Sequence, residues 1–508
     1  MALGAAALGA AGAGQKGLIS TAAAQEAPAK NNNSHFSRRT VVDLAKDMAK
    51  KPFQAPAQIP ASFSSLSYDD YRKIRFRKDK ALWADKDLGF TVELLHTGFV
   101  VRTPVQIYTV ENGIAQPVIY SSELFDFGDL DVRAPDGTAL FSGIRINAPI
   151  NVLHQYDEVM VFQGASYFRG LGANQNYGIS ARGLAIDTGE PTGEEFPFFR
   201  SFWIETPRAD SKTITVHALL DSPSVTGAFT FVIRPGATTV SDVTASLFAR
   251  TDITHLGLAP LTSMYFFDAR ERGRFDDFRP AVHDSDTLAI ARGNDEWIMR
   301  PLANPKTLQI SAFAEDAPIG FGLQQRETDY ETYKDLESRF ELRPSAWVQP
   351  KSPWRNGHVE LVEIPTNSET NDNIVAFWRP RATLKAGGNL TYSYWLSFGP
   401  PVTNIRLARV LETRIGMAST RKRRKFVVEF DAPLEDGVPV YLGSDVEPRV
   451  SASAGRIDNV VGRHNPMTGG YQVSFEMDPA DVELSELRLV LAHKGQPISE
   501  TWLYRWTA

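Results

Sequence analysis

Apolar and polar residues alternate in short segments along most of the chain. Clear examples are residues 91–96, 100–110, 213–220 and 228–233. A period of two places successive side chains on opposite faces of a β-strand. Because Gly and Pro interrupt these segments often, and because helical spacing is sparse, the pattern predicts an all-β fold built from sandwiches and not a parallel α/β sheet.

Helical spacing is evident in two places. Residues 43–51 alternate charged and apolar residues at helical spacing and are followed by Pro52. This pattern predicts an amphipathic helix that ends before the proline. Residues 329–340 have the clearest later helical pattern, and we predict a second helix there.

The chain of 508 residues is too long for one ordinary core, and a break in the strand pattern indicates where it divides. Residues 402–425 carry little alternation and include a run of basic residues. Alternation then resumes over a length typical of one immunoglobulin-like sandwich. We predict an N-terminal β-sandwich domain over 35–400, a linker over 401–425 and an immunoglobulin-like domain over 426–508.

Residues 1–34 differ in composition from the rest of the chain. The segment from Met1 to Gly14 is almost wholly Ala, Gly and Leu, and residues 21–25 have the small-residue pattern of a signal-peptidase site. We interpret 1–34 as a clipped export signal followed by a linker. The Arg38-Arg39 pair is not interpreted as an export motif, because an amphipathic helix follows it.

Composition excludes several classes of function. The net charge of −6 provides no basic excess, so a nucleic acid is not an expected partner. Cysteine is absent, which excludes disulfides, thiolate zinc sites and thiol nucleophiles. Aromatic residues make up 11% of the chain. They favour β-sandwich cores, and they could also stack on the apolar faces of sugar rings.

Common catalytic signatures are also absent from the sequence. We find no P-loop, no dinucleotide-binding glycine motif, no His-Glu-x-x-His and no nucleophile elbow. The segment from His283 to Asp286 could bind a hard metal, but it has no matching ligands elsewhere. We therefore predict neither a metal nor a cofactor.

Two acidic loops remain as candidate chemistry. One carries Asp284 and Asp286 in a turn between strands, and the other carries Glu369 and Asp372 and leads into an aromatic strand. A glycosidase needs two carboxyl groups, one to protonate the leaving oxygen and one to activate water or attack carbon. On sequence pattern alone, a solvated turn is the better interpretation of each loop.

A series of distinctive motifs occurs in order between Phe36 and Trp506. They include Tyr167-Phe168-Arg169-Gly170, Tyr177-Gly178, Arg182-Gly183, Asp187-Thr188, Glu194-Glu195-Phe196-Pro197, Phe202-Trp203, Leu220-Asp221-Ser222, Arg292-Gly293-Asn294, Glu296-Trp297, Arg343-Pro344-Ser345 and Trp347. Together these motifs resemble the periplasmic glucan biosynthesis proteins, and the D type of that family more than the G type.

The resemblance implies a fold, a location and an activity. The implied fold is a large supersandwich similar to galactose mutarotase, followed by an immunoglobulin-like domain. The implied location is the periplasm, and the implied role is the making of osmoregulated periplasmic glucans with a β-1,2-linked glucose backbone. Some members resemble inverting endo-β-1,2-glucanases, and a transglycosylase that closes a ring is a variant of that chemistry. The alternative is a non-catalytic glucan-binding or assembly factor.

The resemblance also implies roles for individual residues. An aspartate before Asn-Ile-Val serves as general acid in such hydrolases and corresponds to Asp372. An aspartate of the His-Asp-Ser-Asp motif serves as general base, and we assign that role to Asp284, although spacing alone does not exclude Asp286. Asn371 stands where an apolar residue is expected. His283, Glu369 and Asp286 are candidate supporting residues.

The resemblance also implies which residues bind the substrate and which partners the protein has. The residues expected to bind substrate are Tyr167, Arg169, Tyr177, Arg182, Trp203, Trp297, Trp347 and Trp378. The expected ligand is β-1,2-glucan, and a membrane glucan synthase complex is the expected protein partner. A homodimer is a further option that the sequence leaves open.

Overall fold

The computed structural model describes residues 35–404, 406–420, 422–435 and 437–508, mostly as β-strands. The export signal predicted over 1–34 lies outside the described residues. Within the described ranges, no helix has both the length and the apolar composition needed to cross a bilayer. The all-β sandwich prediction is confirmed.

Helices are few and short in the described part of the chain. The α-helices are α1 (Arg38–Ala49), α2 (Ala61–Ser64), α3 (Tyr68–Tyr71) and α4 (Tyr330–Tyr333). Single 3-10 turns occur at Lys78–Lys80, Ser122–Leu124, Arg272–Arg274 and Phe340–Leu342.

The strands are numbered in chain order. The first part of the chain contains β1 (Arg75–Phe76), β2 (Thr91–His96), β3 (Gln106–Glu111), β4 (Ile114–Pro117), β5 (Phe125–Asp126), β6 (Phe141–Ala148), β7 (Asp157–Gln163), β8 (Tyr167–Gly170), β9 (Ser180–Arg182), β10 (Ala185–Ile186), β11 (Phe198–Glu205), β12 (Ile214–Asp221), β13 (Val225–Arg234), β14 (Thr239–Ala249), β15 (Leu256–Ser263), β16 (Tyr265–Phe267), β17 (Val282–His283), β18 (Thr287–Ala291), β19 (Trp297–Pro301), β20 (Gln309–Glu315), β21 (Gly320–Gln324), β22 (Ser345–Pro350), β23 (Gly357–Glu363), β24 (Ile374–Pro380) and β25 (Asn389–Gly399). The last part contains β26 (Val410–Met417), β27 (Arg424–Phe430), β28 (Leu434–Glu435), β29 (Val438–Pro439), β30 (Val446–Ala452), β31 (Arg456–His464), β32 (Tyr471–Asp478), β33 (Leu484–His493), β34 (Gln496–Pro497) and β35 (Thr501–Thr507).

Two large sheets face each other across the main core. We call the first the site sheet; it has ten strands in the order β2-β6-β7-β8-β9-β15-β24-β23-β20, and β10 pairs with β15. The second, the long sheet, has fifteen strands in the order β30-β33-β35-β19-β18-β21-β22-β25-β14-β13-β12-β11-β3-β4, and β34 pairs with β33. Each sheet therefore has an inner face toward the core and an outer face.

Alternation decides which side chains enter the core. In the site sheet, Phe168, Ala181, Leu261 and Ala376 are at most 2% exposed and belong to the main apolar cluster. The ring of Phe168 lies 5.2 Å from that of Phe231 on the long sheet. Side chains one position away on each strand must point to the outer face.

Helix α1 covers part of the outer face of the long sheet, and its prediction is confirmed. Val41 and Ala45 form its buried stripe and pack with Trp203 and Leu219. The helix begins at Arg38, five residues before the predicted segment, and Ser37 and Thr40 form a capping box there. The Arg38-Arg39 pair is thus the first turn of a packed helix.

The last hundred residues build a second, smaller sandwich. A sheet of four strands in the order β26-β27-β32-β31 packs against the β30-β33-β35 end of the long sheet, around Phe426, Phe475 and Trp502. Strand β35 pairs in parallel with β19, joining Thr501 to Ile298 in register. The two sandwiches therefore share one continuous sheet.

Two predicted segments differ from the structure. The linker predicted over 401–425 contains strand β26, whose alternation is shifted by an irregularity between Val410 and Glu412. The helix predicted over 329–340 is only α4, because Lys334 adopts a left-handed conformation (φ 54°) that ends it. Both patterns were disturbed by a single local change of backbone geometry.

Candidate active site

A row of charged side chains crosses the outer face of the site sheet. Arg145 pairs with Glu93 at 3.2 Å and with Glu158 at 2.7 Å. Farther along the same face, Arg169 and Arg182 alternate with the core residues Phe168 and Ala181. Since adjacent strands bring these positions side by side, the outer face is a polar surface laid directly on an apolar sheet.

Arg182 is the most firmly held cation of this row. Its Nε donates to Thr262 at 2.8 Å and its Nη1 donates to Glu194 at 2.5 Å. Thr188 donates to the same oxygen of Glu194 at 2.5 Å. The guanidinium also lies 4.7 Å from the centre of the Tyr167 ring. Arg182 is 5% exposed, so these contacts replace the hydration that burial removes.

Asp372 enters this surface from the loop before β24. Its Oδ2 lies 3.8 Å from Nη2 of Arg169 and, among the described residues, accepts no hydrogen bond. The next residue, Asn373, is fixed because its side-chain oxygen accepts from the backbone of Tyr265 at 2.8 Å. The chain is thus anchored at Asn373 while the neighbouring carboxyl group stays 16% exposed.

The loop of Asp284 is hydrogen-bonded to the same stretch of backbone. Its backbone nitrogen donates to the carbonyl of Met264 at 2.8 Å, and Ser263 hydrogen-bonds Ser285 at 2.7 Å. The carboxyl group of Asp284 forms an ion pair with Arg343 and is 8% exposed. Both aspartate loops are therefore hydrogen-bonded to residues 263–265.

Arg343 joins the two aspartates electrostatically. Burial and the nearby Arg169 guanidinium lower the pKa of Arg343 to about 9, while the charges of Glu369 and Asp372 act in the opposite direction. A side-chain carbon at Gly178 would come within 2.9 Å of the Arg343 side chain, so the glycine permits this close approach. Arg343 was not among the predicted site residues, although it lies in one of the family motifs.

Asp286 and His283 have structural partners of their own. One oxygen of Asp286 accepts backbone hydrogen bonds from Arg326 at 2.7 Å and Glu327 at 3.0 Å. His283 is 1% exposed, hydrogen-bonds Gln325 at 2.9 Å, and has a pKa lowered by burial. Within the described residues, no group of side chains is arranged to hold a metal ion.

The amino-acid sequence is similar to those of known proteins. The family model described as "Periplasmic glucan biosynthesis protein, MdoG" matches residues 36–506. The chain belongs to the periplasmic glucan biosynthesis family. Relatives named "Glucans biosynthesis protein G" include one from Vibrio cholerae (47% identical, covering 93% of this chain and 87% of the relative) and one from Rhodopseudomonas palustris strain BisA53 (46% identical, covering 96% and 97%). These names do not support the preference for the D type.

Glu369 was predicted to support Asp372. In the structure, its carboxyl group accepts a hydrogen bond from Arg279 at 2.8 Å. Arg279 also binds Asp277 at 2.7 Å and Asp335 at 3.1 Å and is 8% exposed. Arg279 therefore connects the loops that carry Asp277, Asp335 and Glu369.

The two tyrosines expected to bind substrate lie on the same outer face. Burial raises the pKa of Tyr167 to about 12, and burial also raises the pKa of Tyr177. The hydroxyl of Tyr177 makes no hydrogen bond within the described residues. The charges of Glu158, Arg145 and Arg169 act on this hydroxyl, so it lies beside the charged row.

The four tryptophans expected to bind sugar lie elsewhere. Trp378 is 2% exposed and points into the core beside Trp354, because it has the same parity on β24 as Ile374. Trp203 is buried beneath α1. Trp297 and Trp347 lie on strands β19 and β22 of the long sheet. Because Trp203 and Trp378 are buried, sugar cannot stack on these two rings as they lie.

Proposed function

We propose that this member of the periplasmic glucan biosynthesis family cleaves β-1,2-glucan in the periplasm by an inverting mechanism. Asp372 is the proposed general acid and Asp284 the proposed general base. The observation that supports this proposal is that neighbouring arginines link the two carboxyl groups: Asp372 lies 3.8 Å from Arg169, Asp284 pairs with Arg343, and the charges of Arg169 and Asp372 both act on Arg343.

Inversion requires the two carboxyl groups to have different roles. One protonates the leaving oxygen, and the other activates a water molecule on the opposite face of the sugar ring. Asp284 is paired with a guanidinium, which favours the anionic form that a general base needs. Oδ2 of Asp372 makes no hydrogen bond within the described residues, and we assign to Asp372 the proton transfer to the glycosidic oxygen.

The comparison of Asp284 with Asp286 supports the choice of base. The Asp286 oxygen that accepts from the backbone of Arg326 and Glu327 is committed to holding a turn. The Asp284 carboxyl group instead forms an ion pair with Arg343, which lies near Arg169 of the site sheet. A base must reach a water molecule next to the sugar, and Asp284 is the better placed of the two.

The loops around the site make transglycosylation a related possibility. Arg279 connects the loops that carry Asp277, Asp335 and Glu369, and these loops border the carboxyl groups. Limiting the access of water favours transfer of the cut chain to a sugar hydroxyl over hydrolysis. Such a transfer could release a shorter chain or close a ring.

Incubating the purified protein with linear β-1,2-glucan between about pH 5 and pH 8 and following product sizes tests the proposal. We expect the wild type to shorten the chains, and Asp372→Asn and Asp284→Asn to lower the rate by roughly 10²–10⁴-fold. Asp316→Asn is the matched control, because Asp316 is 63% exposed in a surface pair with Arg355. Glucan that is bound but stays uncut by the wild type would overturn the proposal, and cyclic products would identify a transglycosylase.

A glucan-binding or assembly factor that works with a membrane glucan synthase is the second candidate. The second sandwich favours it, since it exposes large apolar side chains: Tyr441 is 72% exposed and Met467 is 89% exposed. Exposed apolar groups of this kind are common where proteins meet partners. Binding without cleavage in the same experiment would select this candidate.

A further inference from the structure

Three tryptophans lie on the outer face of the long sheet between strands β19 and β25. Trp297 lies on β19, Trp347 on β22 and Trp395 on β25. Trp395 is paired with Gln349, two residues beyond Trp347 on the neighbouring strand. Because side chains alternate, Trp347, Gln349 and Trp395 share one face. We call Trp297, Trp347 and Trp395 the tryptophan row.

The first two members of the row are stacked over a floor of small residues. The rings of Trp297 and Trp347 lie 5.7 Å apart at an interplanar angle of 6°. Between their strands lie Ala291 and Gly320, and a side-chain carbon at Gly320 would come within 2.7 Å of the Trp347 ring. The small residues thus allow the indoles to lie against the sheet, where Trp347 is 7% exposed beneath its neighbours.

The third member is the exposed one. Trp395 is 38% exposed, whereas its chain neighbours Tyr394 and Leu396 are each 1% exposed and face the core. Lys351 lies 5.4 Å from the centre of the Trp395 ring, and its ammonium pairs with Asp242 at 2.6 Å. The indole is therefore held in place at its edge by a cation, while part of its surface stays in solvent.

The surroundings of Trp395 are polar and not apolar. Its two cross-strand neighbours are Gln349 and Asp242, and Ser393 and Ser397 share its face on β25. A protein interface of useful size needs a contiguous apolar centre, which these residues do not supply. A pyranose ring offers an apolar C–H face for an indole and hydroxyl groups for amides, carboxylates and hydroxyls around it.

We propose that the tryptophan row is a second glucan-binding surface, separate from the aspartate site. This inference rests on the proposed function for the identity of its ligand. The strands from β19 to β25 are four spacings apart, roughly 19 Å, which is long enough for several linked sugar residues. The row therefore suits a polymer, and it would hold the chain while another part of it occupies the site sheet.

Isothermal titration with long linear β-1,2-glucan, in the Asp372→Asn background that prevents cleavage, tests the inference. We expect Trp395→Ala to weaken binding about tenfold, the order of one lost stacking contact, and Trp395→Phe to lose less. The matched control is Ile114→Ala, which removes an exposed apolar side chain from β4 at the edge of the same sheet and should leave binding unchanged.

A chemical measurement keeps the test independent of folding of the variant. N-bromosuccinimide should oxidise Trp395 in the Asp372→Asn protein, and glucan should protect it, as read by peptide mass spectrometry. Unchanged affinity in a folded Trp395→Ala protein, or oxidation that glucan does not slow, would overturn the inference. So would a change in sedimentation without a change in glucan affinity, which would assign the face to self-association.

Failure of this inference can be distinguished from failure of the proposed function. If wild type cuts glucan but Trp395→Ala binds it normally, only the second surface is wrong. If wild type leaves glucan uncut but binding depends on Trp395, the hydrolase proposal is wrong and the second surface stands.

Discussion

The outer faces of the site sheet and the long sheet arise from the same alternation of side chains but carry different chemistry. The site sheet presents Arg169 and Arg182 with acidic partners, and loops surround these charges. The long sheet presents Trp395 among uncharged groups and one exposed ion pair. The comparison indicates that enclosing loops, more than the sheet itself, decide how far the charged groups of an outer face are removed from water.

Enclosure matters because it changes the strength of charge interactions. A pair of ions near the surface contributes little to stability, since water and salt screen it. Charges held away from water interact more strongly, and an unpaired one is costly. Experiments that remove one charged partner on each face therefore test the comparison directly.

The largest effect is expected when Arg343, which pairs with Asp284, is replaced. Arg343→Met should lower the rate of glucan cleavage by about 10³-fold, because Asp284 loses the partner that positions it and keeps it anionic. Arg343→Lys should recover part of the rate. The readout is kcat together with its pH profile, whose limb for the base should move upward in Arg343→Met.

The control for that prediction is Arg355→Met, because Arg355 is 60% exposed and pairs with Asp316 at the surface. Its cleavage rate should stay within about twofold of wild type. An unchanged pH profile in Arg343→Met would show that Arg343 does not act through the base.

The next effect concerns the free energy of unfolding and the buried carboxyl group of Glu360. Glu360 is 2% exposed and accepts from His255 at 2.8 Å, His358 at 2.9 Å and Arg379 at 3.0 Å. Glu360→Gln should lower the free energy of unfolding by about 3 kcal/mol near pH 7, because it leaves the cations without their anion. Urea unfolding provides the measurement.

The pH dependence of that loss follows from the direction of the pKa. Although burial opposes it, the hydrogen bonds from His255, His358 and Arg379 hold the pKa of Glu360 below its ordinary value. Its stabilising contribution is present above the ordinary pKa, about 4.3, and is lost as the pH falls through the lowered folded value. Asp242→Asn on the outer face of the long sheet should lower the free energy of unfolding by less than about 1 kcal/mol at any pH. Equal losses in Glu360→Gln and Asp242→Asn would contradict the comparison of the two faces.

The smallest effect has the opposite sign. Burial raises the pKa of Glu327 to about 7, with Asp286 as a like charge nearby. The folded state then binds more protons than the unfolded chain between about pH 4.3 and pH 7, so stability falls as the pH rises through this window. Glu327→Gln should therefore be more stable than wild type at pH 8, by about 1 to 2 kcal/mol, and equally stable below about pH 4. A variant that is less stable at pH 8 would contradict this assignment.

The sequence predicted much of this arrangement where alternation or a motif was undisturbed. It predicted the sandwich and helix α1, and the family motifs contained four of the polar residues that the structure places on or beside the outer face of the site sheet, namely Tyr167, Arg169, Tyr177 and Arg182. It failed where a single backbone event changed the pattern, as at Lys334 and at the irregularity in β26. Residue type alone also could not tell which face Trp378 occupies, because the loop before β24 sets that parity.

Long-range partners were the other part that the sequence could not supply. Arg343 is far in the sequence from Asp284 and Asp372, and only the fold brings the three together. Likewise, Glu369 and Asp372 are neighbours in one loop, but Arg279 binds Glu369 from another. Charges pair according to tertiary contacts, and one chain read alone does not reveal those contacts.

The most direct test of the two-aspartate mechanism is the anomeric form of the first product from linear β-1,2-glucan, followed by proton NMR from the first turnovers. Inversion predicts that the new reducing end appears as the α anomer in wild type, and that neither anomer accumulates in Asp372→Asn or Asp284→Asn. Initial formation of the β anomer, or equal cleavage by either variant, would contradict the assignment of these two aspartates as an inverting acid and base.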